Sequence, residues 1–216
     1  MRHRVKKQLF IFDLDGTLAD AYTAIEKSLN FTRRRFGLSP VAYKLAKKKV
    51  GRGDKQFIQT FFSKEQLPAA LAVYRNHHKK ALKNYARLKP YAKMLLYLLK
   101  RKGKIVAIAS NRPFYYTNII IKKTGIGKYL DYVLCADQIQ SHKPKPRILK
   151  DILKKFRFKK EQAVYAGDMD VDLETARRAK VDAVFVRGGS STLKDVKRYR
   201  NKKVVSSLRN ILTLYD

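Results

Sequence analysis

The distribution of apolar positions separates two kinds of sequence at about Pro90. Beyond it, short apolar runs alternate with amphipathic stretches that end at glycines such as Gly103 and Gly125. Strands that alternate with helices of about 10 to 12 residues indicate βαβ units around a parallel sheet. We therefore predict strands at 105–109, 132–136, 163–166 and 183–186, helices at 91–101, 114–124, 146–156 and 173–179, and a last strand and helix within 204–214.

The segment before Pro90 begins with one more strand and then reads as helices. Residues 8–14 contain the apolar run 9–12, which Asp13 interrupts, as in a buried strand that runs into a polar loop. Asp20 is predicted to cap a helix over 21–36. Further helices are predicted over 45–50, 57–62 and 67–88. The prediction is an α/β protein with a Rossmann-like, doubly wound parallel sheet at 1–19 and 91–216, and an inserted helical cap at 20–90.

The chain is strongly basic, and the excess charge is spread along it. Its 216 residues contain 50 Lys and Arg against 17 Asp and Glu, a formal net charge of +33, while 45% of the residues are hydrophobic. Such a field attracts anionic metabolites and polyanions alike and does not determine the fold. Zinc-finger spacing, a basic heptad region and an RNP-type strand are all absent from the sequence. We interpret the charge as a surface property and leave nucleic acid open as a partner.

The composition also indicates the cellular compartment in which we expect the protein. Cys135 is the only cysteine, which excludes a disulfide scaffold and fits a reducing compartment. The longest purely apolar run, 94–99, is far shorter than the roughly 18 residues of a membrane span. The basic start of the chain lacks the apolar region of a signal peptide. We expect a cytoplasmic protein that does not enter the membrane, of open oligomeric state.

The residues with candidate catalytic or binding roles lie where predicted strands end or helices begin. Ligands of a doubly wound sheet bind beyond the carboxyl ends of its strands, so polar residues there matter more than elsewhere. Taken singly, each could be a turn or a helix cap; their common placement favours a site. The residues are Asp13, Asp15, Gly16 and Thr17 after the first strand, Ser110 and Asn111 after the second, Lys143 before a helix, and Asp168, Asp170 and Asp172 after the strand at 163–166.

These residue types suit phosphoryl transfer assisted by a metal ion. Carboxylates that lie close together repel each other unless a cation sits among them, and an all-oxygen site suits Mg²⁺. Lys143 and the Ser110 hydroxyl can bind a phosphoryl group. One carboxylate can attack phosphorus, and a second, two residues along, can protonate the leaving group and then activate water.

The motifs resemble those of the haloacid dehalogenase superfamily, and specifically its phosphatases with a helical cap after the first motif. The sequence is most similar to phosphoglycolate-phosphatase-like and β-phosphoglucomutase-like members. The matching segments, in order, are FDLDGTLAD at 12–20, ASNRP at 109–113, HKPKP at 142–146 and GDMDVDLETARRA at 167–179.

The resemblance implies a role for most of these residues. Asp13 is expected to be the nucleophile and Asp15 the general acid and base, with Lys143 neutralising charge at the nucleophile. Ser110, Asn111 and Lys143 are expected to bind the transferring phosphoryl group. The expected Mg²⁺ site comprises Asp13, the Asp15 carbonyl, Asp168 and, as a supporting residue, Asp172. Asp170 matches no implied role, and we interpret it as structural.

The cap supplies weaker indications. Gly51 and Gly53 flank Arg52, and this loop is predicted to contact substrate, with Arg52 clamping an anion; a helix–helix turn with a solvated arginine is the alternative. Residues 77–80, His-His-Lys-Lys, are interpreted as a solvated helix face. Tyr115 and Tyr116 are predicted to be core or pocket wall.

Three functions follow from the sequence. The first is Mg²⁺-dependent hydrolysis of a small anionic phosphomonoester, such as phosphoglycolate, a sugar phosphate or a nucleotide, through an aspartyl-phosphate. A phosphomutase of the β-phosphoglucomutase type is the second. The third is a nucleic-acid-associated protein, either a polynucleotide end phosphatase or a binder, suggested by the +33 charge. A carboxylate at Asp15 favours phosphoryl chemistry over dehalogenation, because a leaving halide needs no proton.

Overall fold

A parallel sheet of six strands forms the centre of the molecule. The computed structural model describes residues 5–200 and 202–215. The strands of this sheet are β1 (Leu9–Phe12), β4 (Ile105–Ser110), β5 (Tyr132–Cys135), β6 (Ala163–Gly167), β7 (Asp182–Val186) and β8 (Lys203–Val205). Their order is β5-β4-β1-β6-β7-β8. The chain therefore extends the sheet first to one side of β1 and then to the other, which opens a crevice at the carboxyl ends of the central strands.

Both faces of the sheet are covered, and this explains the almost continuous apolar strands. Side chains alternate between the faces along a strand: Phe10 and Phe12 join one buried cluster, whereas Leu9 and Ile11 join another. The helices of the core are α5 (Ala92–Arg101), α6 (Phe114–Thr124), α7 (Ala136–Ile139), α8 (Arg147–Phe156), α9 (Asp170–Ala179) and α10 (Asn210–Thr213). The predicted doubly wound fold is confirmed.

The inserted segment is a helical cap with a small core of its own. Its helices are α1 (Tyr22–Arg35), α2 (Tyr43–Lys48), α3 (Asp54–Gln59) and α4 (Leu67–Tyr85). Aromatic and aliphatic side chains of all four pack together, among them Leu29, Phe57 and Tyr74. Two short strands, β2 (Ala19–Asp20) and β3 (Arg87–Leu88), pair antiparallel where the chain enters and leaves the cap. The domain limits at 19/20 and 90/91 stay a prediction.

Several boundaries differ from the predicted ones for identifiable reasons. Helix α9 begins at Asp170 and not at 173, because carboxylates are favourable in a first helical turn. Helix α4 ends at Tyr85, since residues 87–88 form β3. Ala21 occupies the cap position of α1, while the Asp20 carboxylate still accepts a hydrogen bond from the Tyr22 N–H, N to Oδ1 3.0 Å. Within the described residues, no helix combines the length and the apolar character needed to cross a membrane.

Candidate active site

The ends of the central strands bring four predicted residues together. Asp13 follows β1, Ser110 ends β4 and Asp168 follows β6, and the loop before α8 places Lys143 beside them. All four side chains are buried. Ionisable groups are rarely buried unless they are paired or bind a ligand. Their burial at the edge of the sheet therefore marks a site.

Lys143 connects two carboxylates. Its Nζ lies 2.7 Å from Asp13 Oδ1, 2.7 Å from Asp172 Oδ1 and 3.0 Å from the Tyr165 hydroxyl. Burial alone would lower the pKa of the ammonium, but Asp13 and Asp172 outweigh it and hold that pKa well above its usual value. Lys143 is thus a fixed positive charge at Asp13.

Asp13 itself lies among like charges. Burial raises the pKa of its carboxyl well above the usual range, and the nearby Asp172 and Asp168 raise it further, against the opposing effect of Lys143. The carboxylate would ionise readily only with more positive charge close by. The cluster contains three carboxyl groups and one ammonium, so it lacks this additional positive charge.

Asp168 is held by three donors. Its Oδ1 accepts from the Thr17 hydroxyl at 3.0 Å, and its Oδ2 accepts from the Tyr22 hydroxyl at 2.9 Å and the Ser190 N–H at 2.7 Å. Burial, followed by the charge of Asp172, nevertheless raises the pKa of Asp168 to about 6. Tyr22 begins the first helix of the cap, so this contact joins the cap to the acidic cluster.

The acidic cluster has the composition of a divalent-cation site. One carboxylate oxygen from each of Asp13, Asp168 and Asp172 lies within 4.8 Å of the others. Gly16 and Gly189 approach the Asp168 carboxylate so closely that a Cβ at either position would collide with it. Hard oxygen ligands of net negative charge fit Mg²⁺. The residues present therefore fit the predicted ion.

Asp15 has a partner that the sequence did not indicate. The Arg112 guanidinium holds its carboxylate with two parallel bonds, Nε to Oδ2 at 2.7 Å and Nη2 to Oδ1 at 2.9 Å. Both side chains are almost buried. Arg112 follows Ser110 and Asn111 directly, so its position beside the second motif was the available clue.

His78 completes this chain of contacts from the cap. Arg112 Nη1 lies 2.7 Å from His78 Nε2, and His78 Nδ1 lies 3.0 Å from the Ser28 Oγ. Burial and the charge of Arg112 lower the pKa of His78 well below its usual value, so the ring is neutral and Nε2 accepts. The interpretation of residues 77–80 as a solvated face is therefore wrong for His78, which is 1% exposed. Tyr74 and Leu82, four residues before and after it, lie on the same buried face.

A small cavity of about 50 Å³ lies between the cap and the core. The core contributes predicted site residues and the aromatic ring of Tyr116. The cap contributes largely apolar side chains and the loop at 51–53. The lining includes Asp13, Asp15, Ser110, Asn111, Arg112 and Lys143 from the core and Ile25, Gly51, Asp54, Phe57, Tyr74 and His78 from the cap.

Two predicted contacts differ in the structure. Arg52 is exposed and lines two other surface depressions, whereas the backbone on either side of it, Gly51 and Gly53, lines the cavity. The Asn111 side chain joins loops: its Nδ2 donates to the Gly51 carbonyl at 2.8 Å, and its Oδ1 accepts from the Lys143 N–H at 2.7 Å. Asn111 therefore holds the cap loop and the Lys143 loop against the sheet.

Three further residues with predicted roles are Asp170, Tyr116 and Tyr115. Asp170 starts α9, where its N–H donates to Ser191 Oγ at 3.1 Å and its carboxylate lies 3.5 Å from Arg198; it is not part of the acidic cluster. Tyr116 is buried and lines the cavity, as predicted for a pocket wall. Tyr115, in contrast, is 56% exposed.

The sequence pattern of the haloacid dehalogenase-like hydrolases matches residues 10–186, which cover the central sheet except for Leu9 of β1 and the strand β8. The chain belongs to this family. The predicted family is confirmed, and this haloacid dehalogenase-like hydrolase carries its acidic cluster and its lysine at the strand ends described above.

Named relatives are phosphatases. The hydrolase is similar to a phosphoglycolate phosphatase of Agrobacterium fabrum, with 28% identity over 88% of this chain and 84% of that protein. It is also similar to the pyrophosphatase PpaX of Oceanobacillus iheyensis, with 22% identity over 94% of each chain. Among solved structures, a predicted phosphoglycolate phosphatase from Haemophilus somnus superposes with a TM-score of 0.90 at 21% identity, over 97% of this chain and 98% of that one. The last comparison supports the fold.

Proposed function

We propose that this protein is a Mg²⁺-dependent phosphatase of small anionic phosphomonoesters that acts through an aspartyl-phosphate on Asp13. The observation that carries the proposal is the buried Lys143 ammonium between Asp13 and Asp172, with Asp13 and Lys143 lining the cavity between the cap and the core. Phosphoglycolate is the leading candidate substrate, because the similar protein from A. fabrum bears that name.

Asp13 and Lys143 perform the first half of the proposed reaction. An Asp13 oxygen attacks phosphorus, a new phosphorus–oxygen bond forms, and the bond to the leaving oxygen breaks. Lys143 orients Asp13 and favours its ionised form, and a bound cation would supply the further positive charge that ionisation requires. The Ser110 hydroxyl and the backbone N–H of Asn111 lie at the end of β4, where they can donate to the phosphoryl oxygens. Asp13, Asp168 and the Asp15 carbonyl, with Asp172 in support, would hold Mg²⁺, which would contribute positive charge that stabilises the phosphoryl group.

Asp15 is proposed to move the protons. It gives a proton to the leaving oxygen in the first half and takes one from water in the second, when water attacks the phosphorus and releases Asp13. The Arg112 fork fixes the orientation of the Asp15 side chain in the cavity. To donate a proton, Asp15 must give up part of this fork.

Phosphate release from a panel of phosphomonoesters tests the proposal. The panel contains p-nitrophenyl phosphate, phosphoglycolate, sugar phosphates, nucleotides and a 3′-phosphorylated oligonucleotide, each with and without Mg²⁺. We expect Mg²⁺-dependent release that Asp13→Asn abolishes. Equal release by wild type and Asp13→Asn would overturn the mechanism.

The same panel separates the alternatives from the sequence. Activation by a bisphosphorylated sugar, with phosphate returned to the sugar, would indicate a mutase. Preference for the oligonucleotide would indicate a polynucleotide end phosphatase. An inert protein that binds the oligonucleotide with a steep salt dependence would indicate a binder.

A further inference from the structure

A second depression lies on the cap, apart from the catalytic cavity. Its volume is about 690 Å³, and it shares no lining residue with the cavity between the cap and the core. Ligand-binding clefts have volumes of about 300–1,000 Å³. We call it the cap groove and define it by Lys27, Phe31 and Arg34 of α1 and by His77, Lys80 and Tyr85 of α4. The proposed reaction uses none of these residues.

The cap groove follows the periodicity of two packed helices. Lys27, Phe31 and Arg34 stand at positions i, i+4 and i+7 of α1, so they share one face of that helix. His77 and Lys80 are three residues apart on α4 and are neighbours in the same way. Other faces of these helices form the apolar core of the cap. Charged and aromatic side chains are therefore interleaved along one continuous surface.

The positive charge of the cap groove is not neutralised within the described protein. None of the described residues that line it is acidic, and within residues 5–200 and 202–215 its two lysines and its arginine form no salt bridge. The depression beside α9 is different, because Arg177 and Arg178 pair with Glu174 there. Of these two basic surfaces, the cap groove is the one whose cations can bind an external anion.

Aromatic rings lie among these cations. Phe31 stacks on His77, with ring centroids 4.2 Å apart and planes 18° apart, and the Arg35 guanidinium lies 5.4 Å from the Phe31 centroid. Burial, followed by the charges of an arginine and a lysine of the groove, lowers the pKa of His77, so its ring is neutral at pH 7. Tyr85 is 42% exposed. The groove thus offers flat ring surfaces beside positive charge.

We propose that the cap groove binds single-stranded nucleic acid, with phosphates at its three cations and bases against its rings. A basic groove with aromatic side chains is the combination that binds single strands without sequence preference. Unpaired bases can stack on protein rings, whereas the bases of a duplex are stacked on each other. The side-chain amides of Asn76 and Asn84 also line the groove and can hydrogen-bond to base edges. The inference goes beyond the proposed phosphatase function and does not depend on it.

A lipid surface fits the cap groove less well. Helices that bind at a membrane interface insert an exposed apolar face among the acyl chains. The cap groove is concave, and its rings are separated by lysine, arginine and asparagine side chains. A flexible strand can follow such a depression, so a nucleic acid is the occupant that the shape and the charge favour together.

Fluorescence anisotropy of labelled oligonucleotides tests the proposal on the full chain. The probes are an oligouridylate and an oligothymidylate of about 12 nucleotides and a DNA duplex of the same length. A net charge of +33 attracts any polyanion at low salt, so the titrations extend from about 50 to 200 mM salt. At the highest salt we expect the single strands to bind about tenfold more tightly than the duplex. A duplex that binds as tightly as both single strands would overturn the proposal.

Two double variants of equal net charge locate the binding surface. Lys27→Gln with Lys80→Gln changes the cap groove, and Lys150→Gln with Lys154→Gln removes two exposed lysines from α8. We expect only the groove variant to bind the single strands about tenfold more weakly. Its slope of log K against log salt should fall by about 1.4, since each phosphate contact contributes about 0.7. Equal losses in the two variants, or an unchanged groove variant, would overturn the proposal.

Variants of unchanged charge test the rings. Phe31→Leu and Tyr85→Leu remove aromatic surface from the groove, and Tyr97→Leu removes an exposed tyrosine from α5. Loss of one stacked base should weaken single-strand binding about fivefold or more in the two groove variants. Tyr97→Leu should bind like the wild type. Unchanged affinity in both groove variants would overturn the proposal, because attraction of phosphates alone does not select a single strand.

Two further measurements separate the groove from the catalytic site and from a membrane site. The groove variants should release phosphate from p-nitrophenyl phosphate like the wild type, since none of the changed residues lines the catalytic cavity. Sedimentation with vesicles of phosphatidylserine and phosphatidylcholine should give equal binding for wild type and groove variants. Vesicle binding that is lost in the groove variants, without oligonucleotide binding, would overturn the proposal. A protein that binds oligonucleotides through the groove but hydrolyses no phosphomonoester would retain it and refute the phosphatase.

Discussion

At the scale of single residues, the site depends on a few buried charges whose partners are specific. Lys143 lies within 2.7 Å of both Asp13 and Asp172, and none of the three faces bulk water. Removing one partner from such a group leaves the others charged and unpaired. The lysine therefore supports both the fold and the proposed reaction.

Lys143→Met should be inactive and less stable. Breaking a buried ion pair costs about 3–5 kcal/mol, which in a chain of this size corresponds to a Tm decrease of roughly 10 °C. We expect phosphate release to fall at least about 10³-fold. Lys145→Met, an exposed lysine in the same loop, is the matched control and should retain both activity and Tm. A stable, active Lys143→Met protein would contradict the assignment.

His78 makes stability depend on pH in a defined direction. Its pKa in the folded protein is lowered by burial and by Arg112, so the unfolded chain binds a proton that the folded one does not. The groups facing it are Arg112, His77 and the rings of Tyr74 and Tyr116. Stability should therefore be complete above about pH 6.5 and decline as the pH falls below that value.

The test is Tm against pH for wild type and His78→Gln, whose amide oxygen can still accept from Arg112. Other titrating groups are common to both proteins, so the difference between the two curves isolates His78. We expect the wild type to lose more stability than His78→Gln between pH 7 and pH 5. Parallel curves would show that the ring takes up a proton without cost in the folded protein.

At the scale of elements, one of the close contacts between the cap and the core lies at Gly51. The Gly51 backbone has φ +119°, and a Cβ there would collide with the side chain of Met169 at the start of α9. The Gly51 carbonyl also accepts from Asn111. The turn therefore requires glycine for its conformation, and a Cβ there would also displace the end of the Met169 side chain.

Gly51→Ala should impair closure of the cap over the cavity. Since lids exclude water and complete the site, we expect kcat/KM to fall about 10- to 100-fold. Gly37→Ala is the control: it also places alanine at positive φ, +66°, in the cap, but nothing lies within 4 Å of its Cβ. It should lose stability of about 1 kcal/mol and little activity. Similar kinetics for the two variants would assign the loss to backbone strain.

At the scale of the whole molecule, one feature is an excess of positive surface charge around a buried negative cluster. The net charge is +33, yet the carboxylates of Asp13, Asp168 and Asp172 converge at the centre. Without a cation, burial disfavours the ionised form of the Asp168 carboxyl and raises its pKa to about 6. The folded state therefore loses stability as the pH rises from about 4 through 6. A bound divalent ion removes this penalty.

Mg²⁺ should therefore raise the Tm at pH 7.5. A ligand at 100 times its Kd stabilises by about 2.7 kcal/mol, or roughly 5–10 °C here. Asp168→Asn should abolish the response. Asp170→Asn, two residues away and outside the cluster, should retain it. An unchanged Mg²⁺ response in Asp168→Asn would place the ion elsewhere.

The sequence by itself determined the fold class and most of the proposed chemistry. Short, nearly continuous apolar runs alternate with helical stretches, and the polar residues follow the predicted strands or precede helices. Their order along the chain therefore predicts that they meet at one edge of the sheet. Asp13, Lys143 and Asp168 were predicted in this way, since each belongs to a motif of several residues, and the structure brings them together. The first three residues of α9, from Asp170, and the pairing of β2 with β3 were missed because two- to three-residue features carry no periodicity.

Only the tertiary structure decided which cap residues reach the cavity. His78 and Tyr74 lie on a helix whose buried face is defined by the packing of the cap against the core, which pattern alone does not specify. Arg52 points elsewhere because the flanking glycines bring their backbone, and not the arginine, to the site. Arg112 is one of fifty basic residues in the sequence. What distinguishes it is burial beside Asp15, a property that arises only when residues distant along the chain pack together and exclude water.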